Sequence, residues 1–140
     1  MAINAIQWSA PSLDLSGRFF ENHTVVASPA AAAETIICSL TIPAGLFLSK
    51  GVFLEANAAF TVGTSGTNGN LRIRQTNVSG TVIYSTGGVT MAATNLVNLS
   101  AQGLDPSPPA APQVYVVTLQ VTAGAATSTV SAVSLIALAT

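Results

Sequence analysis

The sequence predicts an all-β domain built from antiparallel strands, and three observations predict it. One is a strict period of two running from Gly51 to Val62, which no helix produces. Another is the succession of apolar runs separated by Gly, Pro, Asn and Ser clusters. The third is composition: only 6% of the 140 residues are charged and 49% are hydrophobic. An ordinary soluble domain carries roughly 25% charged residues. Disorder goes with low hydrophobicity and high net charge, the reverse of this chain, and the β-branched content favours strands.

The elements follow in order. Residues 1–20 show no sustained period and read as an extended N-terminal arm, with the β domain over 21–140. The arm carries Ile3, Ile6, Trp8, Leu13 and Leu15, which makes it more apolar than an ordinary linker. Either it packs on its own domain or it docks on a neighbouring subunit. A short strand is expected near His23 to Ala27, and another from Glu34 to Ile42, ended by Pro43-Ala44-Gly45. In the Gly51–Val62 strand, Val52, Leu54, Ala56, Ala58, Phe60 and Val62 share one side, and Phe53 and Glu55 begin the other. Gly63 to Gly69 is a turn. Asn70 to Thr76 returns with Leu71 and Ile73 inward and Arg72 and Arg74 outward. Asn77-Val78-Ser79-Gly80 makes a hairpin turn into Thr81 to Thr86, and a weaker signal spans Leu96 to Gln102. Pro106, Pro108, Pro109 and Pro112 lack N–H groups, so that stretch is a loop. Gln113 to Ala123 and Thr129 to Thr140 complete about eight strands, a number and spacing that imply a sandwich or barrel.

The last two strands are apolar on both faces. Tyr115, Val117, Leu119 and Val121 form one side of the first, with Val114 and Val116 on the other. In the second, Val130, Ala132, Ile136 and Leu138 alternate with Val133, Leu135 and Ala137. An antiparallel sheet commonly keeps one face polar. The economical cover for a second apolar face is another copy of the chain, which nominates Phe53, Tyr115, Val117, Leu119, Val133 and Leu135 as an oligomer interface. The alternative is that the final strand sits centrally and the arm covers its outer face.

Several function classes are disfavoured. Net charge is −1, with only Arg18, Lys50, Arg72 and Arg74 as cations, too few for phosphate-driven binding of DNA or RNA. No run approaches the roughly 18–20 apolar residues of a membrane-spanning helix. The N-terminus lacks the basic start and apolar core of a signal peptide, so the chain is expected to fold in cytoplasm. Cys38 is the only cysteine and His23 the only histidine. Cys38 alternates with Ile36 and Leu40 and reads as inert packing. Asp14, Glu21, Glu34, Glu55 and Asp105 are scattered, with no spacing that suggests a catalytic pair. Neither an enzyme nor a cofactor or metal site is expected. Glu55 is a candidate cross-sheet partner for Arg72 or Arg74.

One resemblance sharpens these expectations. The run Leu40-Thr41-Ile42-Pro43-Ala44-Gly45, the long strand ending at Phe60, Asn70-Leu71-Arg72-Ile73-Arg74 and Val82-Ile83-Tyr84 resemble jelly-roll domains of phage virions. Those domains are similar to tumour-necrosis-factor-like trimers and occur in capsid decoration proteins, head fibres and tail fibres. The likeness covers roughly residues 34 to 140. It implies an antiparallel jelly-roll β-sandwich and a homotrimer on the virion, made in the host cytoplasm. A single small domain with a short arm and no shaft then fits a capsid decoration (cement) protein, whose partners are itself and the major capsid protein or other virion subunits. Two alternatives are a receptor- or glycan-binding fibre module and a self-assembling filament or coat subunit joined through the arm.

Overall fold

The computed structural model describes residues 18–29, 33–43, 51–63, 68–108, 112–122 and 128–139. Among them are nine strands and no helix: β1 (Phe19–Asn22), β2 (Thr35–Ile42), β3 (Val52–Thr61), β4 (Asn68–Gln75), β5 (Val82–Ser85), β6 (Val89–Thr90), β7 (Leu96–Asp105), β8 (Gln113–Thr122) and β9 (Thr129–Ala139). They form two antiparallel sheets. One has the order β1-β9-β3-β7; the other has β2-β8-β4-β5, with β6 also pairing β4. Apart from β4, β5 and β6, which share one sheet, consecutive strands alternate between the sheets, and most neighbours come from distant parts of the chain, which makes the domain a jelly-roll sandwich. The proposed arm residues Ile3, Ile6, Trp8, Leu13 and Leu15 lie outside the described residues.

Alternation decides which side chains meet between the sheets. Val52, Leu54, Ala56, Ala58 and Phe60 of β3 face Leu71 and Ile73 of β4 and Tyr115, Val117 and Leu119 of β8 across one continuous core. The expected inward face of β3 is the observed one. Arg72 and Arg74 point outward, as their alternation with Leu71 and Ile73 requires.

Three local features depart from the sequence reading. The first strand is β1, four residues earlier than expected, and Ala139 N donates to Arg18 O at 2.8 Å. Residues 18–20 thus belong to the sandwich. In β2 a register shift between Ile36 and Cys38 turns both Ile37 and Cys38 inward. In β9 a shift opposite Ala59 and Phe60 inserts Ser131 as an extra residue. Such a bulge reverses the alternation beyond it. Val130 accordingly joins Val133, Leu135 and Ala137 in the core, whereas Ala132, Ile136 and Leu138 face out.

One end of the sandwich is tied by a buried carboxylate. Asp105 Oδ2 accepts from the Tyr115 hydroxyl at 2.8 Å and from Gln75 Nε2 at 2.6 Å, and Asp105 Oδ1 accepts from Ser107 N at 3.2 Å. These bonds join β7, β8 and β4. Burial, followed by the bond to Asp105 and its charge, pushes the Tyr115 hydroxyl well above its ordinary range. Tyr115→Phe leaves the buried carboxylate one donor short. We expect a loss of about 1–2 kcal/mol in urea unfolding, with the slope of the transition unchanged.

Candidate interaction surface

The outer face of the four-stranded sheet is where the chain presents its most organised surface. The register aligns side chains into rows that cross the strands. Phe19 of β1 pairs with Leu138 of β9, Leu138 with Phe53 of β3, and Phe53 with Leu104 of β7. This row is apolar from edge to edge, and Phe19, Phe53 and Leu104 remain 46%, 41% and 52% exposed. Cross-strand neighbours lie about 4.5–5.5 Å apart, so the four side chains form one continuous ridge rather than scattered apolar spots.

The next row is polar at its ends: Glu21, Ile136, Glu55 and Gln102. Gln102 Nε2 donates to Glu55 Oε2 and Asn57 Nδ2 to Glu55 Oε1, both at 3.2 Å. His23 Nε2 lies 3.3 Å from Glu21 Oε2. Beyond these rows the face sinks into a recess of about 330 Å³. Asn57 sits at its centre, between Ser134 and Ser100, with Asn98 on β7 and His23 on the rim. Ser100 Oγ donates to Asn57 Oδ1 at 2.6 Å, and Asn57 Nδ2 lies 3.5 Å from Ser134 Oγ.

The expected interface residues are largely elsewhere. Tyr115, Val117, Leu119 and Leu135 are fully buried inside one chain, and Val133 is 5% exposed. They belong to the core between the sheets and cannot form an outer surface. Only Phe53 of that set faces out. The apparent second apolar face of β8 is covered within the chain: Val116 and Thr118 are buried on the outer side of the other sheet, opposite Arg74 and Arg72. Phe19, Leu104 and Leu138 were missed because their partners in the row are set by register, which no single segment reveals.

Arg72 and Arg74 do not pair with Glu55, which lies on the other sheet. Both meet Glu34, just before β2. Arg74 Nε donates to Glu34 Oε1 at 2.6 Å and Nη2 to Oε2 at 3.0 Å, and Arg72 Nη1 is 3.1 Å from Oε2. The Thr118 hydroxyl also donates to Glu34. Burial on its own would raise the Glu34 carboxyl, but the bonds from Arg74 and Thr118 and the charges of Arg72 and Arg74 outweigh it and hold the group below its ordinary 4.5. A carboxylate with a lowered folded-state value contributes stability above pH 4.5, and that contribution fades as pH falls through the lower folded value. The melting temperature should therefore drop more steeply below about pH 4.5 in the wild type than in Glu34→Gln, which lacks this titration.

The remaining reactive groups are engaged structurally. The Cys38 thiol is buried, which raises it above its ordinary value, and it points to Asn22 O at 3.6 Å. Among the described residues no three His, Cys, Asp or Glu side chains gather where they could hold a metal ion.

No known protein-family model matches the sequence, and no curated protein is detectably similar to it. Similarity appears among solved structures. A VP2 protein of infectious bursal disease virus in T=1 particles matches 87% of this chain and 32% of its own at 11% identity, with a TM-score of 0.59. The Gt strain of the same virus matches 85% and 33% at 11% identity, TM-score 0.57. A Bacillus endospore appendage pilus structure matches 87% and 88% at 17% identity, TM-score 0.44. The chain thus spans about a third of the viral chains it resembles, and the likeness is one of fold.

Proposed function

We propose that this chain is a non-enzymatic structural protein of a virus particle, a homotrimer that decorates the capsid surface and stabilises it. The apolar row Phe19–Leu138–Phe53–Leu104 is the observation that carries the reading. Apolar surface is worth about 25 cal/mol per Å² when removed from water, and a ridge of this kind on a sheet face is the signature of a surface that is covered in the working state. Three copies meeting through the four-stranded sheets cover it in a closed assembly. The trimer itself rests on the phage jelly-roll resemblance, and the jelly-roll fold shared with viral capsid chains is consistent with it. The trimer binds the major capsid protein or other virion subunits and stabilises the shell by mass action. Two of the described carboxylates, Glu34 and Asp105, are held by structural partners, which supports a non-enzymatic role.

Light scattering on the purified chain over a range of concentrations tests this. A discrete species of three chain masses is expected, and its addition to capsids lacking it should raise their melting temperature. A stable monomer, or a trimer that leaves the capsid unchanged, overturns the reading. A second reading, a filament or coat subunit, is favoured by β7, a ten-residue edge strand whose strand partner among the described residues is β3 alone. Open edges invite pairing with another chain. Polymers formed without any shell would select it.

A further inference from the structure

The recess at the far end of the same face has a chemistry unlike that of the apolar row. Its floor is built from small side chains, Ala59 and Ala132, which stand opposite each other in the register. The β9 bulge lies directly beneath, and Ser131 Oγ locks it by donating to Ala59 O at 3.0 Å. Bulges bend the strand and re-aim side chains; here the result is a hollow on a face that would otherwise be flat.

Around that methyl floor stand two amides, two hydroxyls and an imidazole: Asn57, Asn98, Ser100, Ser134 and His23. Asn57 is oriented in advance, because its oxygen accepts from Ser100 and its amide nitrogen is shared between Glu55 and Ser134. The Asn98 side chain makes no hydrogen bond among the described residues. Among the described residues no Lys or Arg lines the recess, and Glu55 sits one row away on β3. An anionic ligand would meet that carboxylate with no Lys or Arg among the described lining residues to offset it. A neutral ligand rich in hydroxyls fits, because each hydroxyl both donates and accepts and so matches amide and serine groups. A pyranose ring also carries an apolar C–H face for the alanine methyls, and pre-formed hollows with a few convergent polar groups are the usual form of small-ligand sites.

We propose that this recess binds one neutral hexopyranose unit, with Asn57, Asn98, Ser100, Ser134 and His23 addressing its hydroxyls and Ala59 and Ala132 its C–H face. Asn57 lies two register steps from Phe53, about 13 Å along the strand, so the recess adjoins the apolar row without including it.

The test is a titration of isotope-labelled full-length chain with glucose, galactose, mannose and N-acetylglucosamine, followed by amide resonances. At least one of the four should produce saturable shifts confined to the Asn57 and Asn98 side chains and the backbone around Ala59, Ser100 and Ser134. Glucose 6-phosphate should bind more weakly than glucose. Ala132→Leu, which fills the floor from the exposed side, should abolish the shifts while leaving the melting temperature unchanged, and Asn98→Ala should weaken them. The proposal is overturned if none of the four sugars shifts these resonances, if the shifts fall elsewhere, if the phosphorylated sugar binds more tightly, or if Ala132→Leu binds as wild type. Mass measured on the same samples reports separately on the trimer.

Discussion

Gly51→Ala is expected to cost about 3 kcal/mol or more and to lower the melting temperature by roughly 10 °C. Gly51 has φ = +99°, a conformation that side-chain-bearing residues rarely adopt, and a Cβ there would stand 2.2 Å from Asp105 O and 2.9 Å from Pro106 Cα. Both obstacles are backbone, so no rotamer change relieves them. Relief requires moving the start of β3 away from the end of β7, which carries Asp105 and its bonds to Tyr115 and Gln75. The strain therefore reaches three strands at once. Gly88→Ala is the matched control: a Cβ there meets nothing within 4 Å, and its effect should lie within about 0.5 kcal/mol of zero. Equal melting temperatures for the two variants would show that the approach of β3 to β7 is looser than described.

The second large effect concerns assembly. Phe53→Asp places a charge in the middle of the apolar row without touching the core, because Phe53 faces outward between Leu138 and Leu104. Burying an unpaired carboxylate against apolar neighbours is costly. If the proposed trimer forms through this row, subunit association should weaken by about 3 kcal/mol, on the order of a hundredfold, so that light scattering reports monomer in place of the trimer expected for the wild type. The melting temperature of the monomeric variant then becomes independent of concentration. Val78→Asp changes an equally exposed apolar residue on the β4–β5 turn and should leave the mass unchanged. If Phe53→Asp retains the wild-type mass and Val78→Asp does not, the interface lies on the other sheet.

How far the sequence could be read depended on the range of the interaction involved. The period of two in β3 and β4 is a local signal, and it correctly predicts the inward set from Val52 to Phe60 and the outward Arg72 and Arg74. The hairpin at Asn77–Gly80 is equally local: Gly80 N donates to Asn77 O, and Ser79 N to Asn77 Oδ1. Bulges are not local signals. Those in β2 and β9 follow from pairing with β8 and β3, so the inward facing of Ile37 and Val130 could not be read from their own segments, whereas the burial of Cys38 could. Glu34 and Arg74 are forty residues apart, and nothing near either one marks the other. The interface expectation failed for a related reason. Two apolar faces on β8 suggest an uncovered surface only if the chain has nothing to lay over one of them, and Arg74 and Glu34 supply that cover.

The two-residue strand β6 (Val89–Thr90) is too short to leave a pattern. Phe19 and Phe20 lie where period and charge give no contrast, so the expected first strand falls nearer His23 than β1 does. The polar recess was legible in composition but not in place: Asn57, Asn98, Ser100 and Ser134 come from three strands whose order only the topology reveals.

The position of β9 between β1 and β3 bears on how the molecule comes into being. Its two neighbours are made long before it: Phe19 pairs with Leu138, and Phe53 with that same residue. Until β9 has been synthesised, β1 has no strand to join, and β3 has only β7 hydrogen-bonded beside it. Pairings this distant in sequence close slowly, and nascent chains that stop short of β9 expose open strand edges to one another. Ribosomes loading the same message closely would hold many such half-sheets side by side. Yield should therefore depend on the pace of synthesis and on chaperone supply more than on the stability of the finished domain, and slowing expression should recover more soluble protein than any substitution that merely raises the melting temperature.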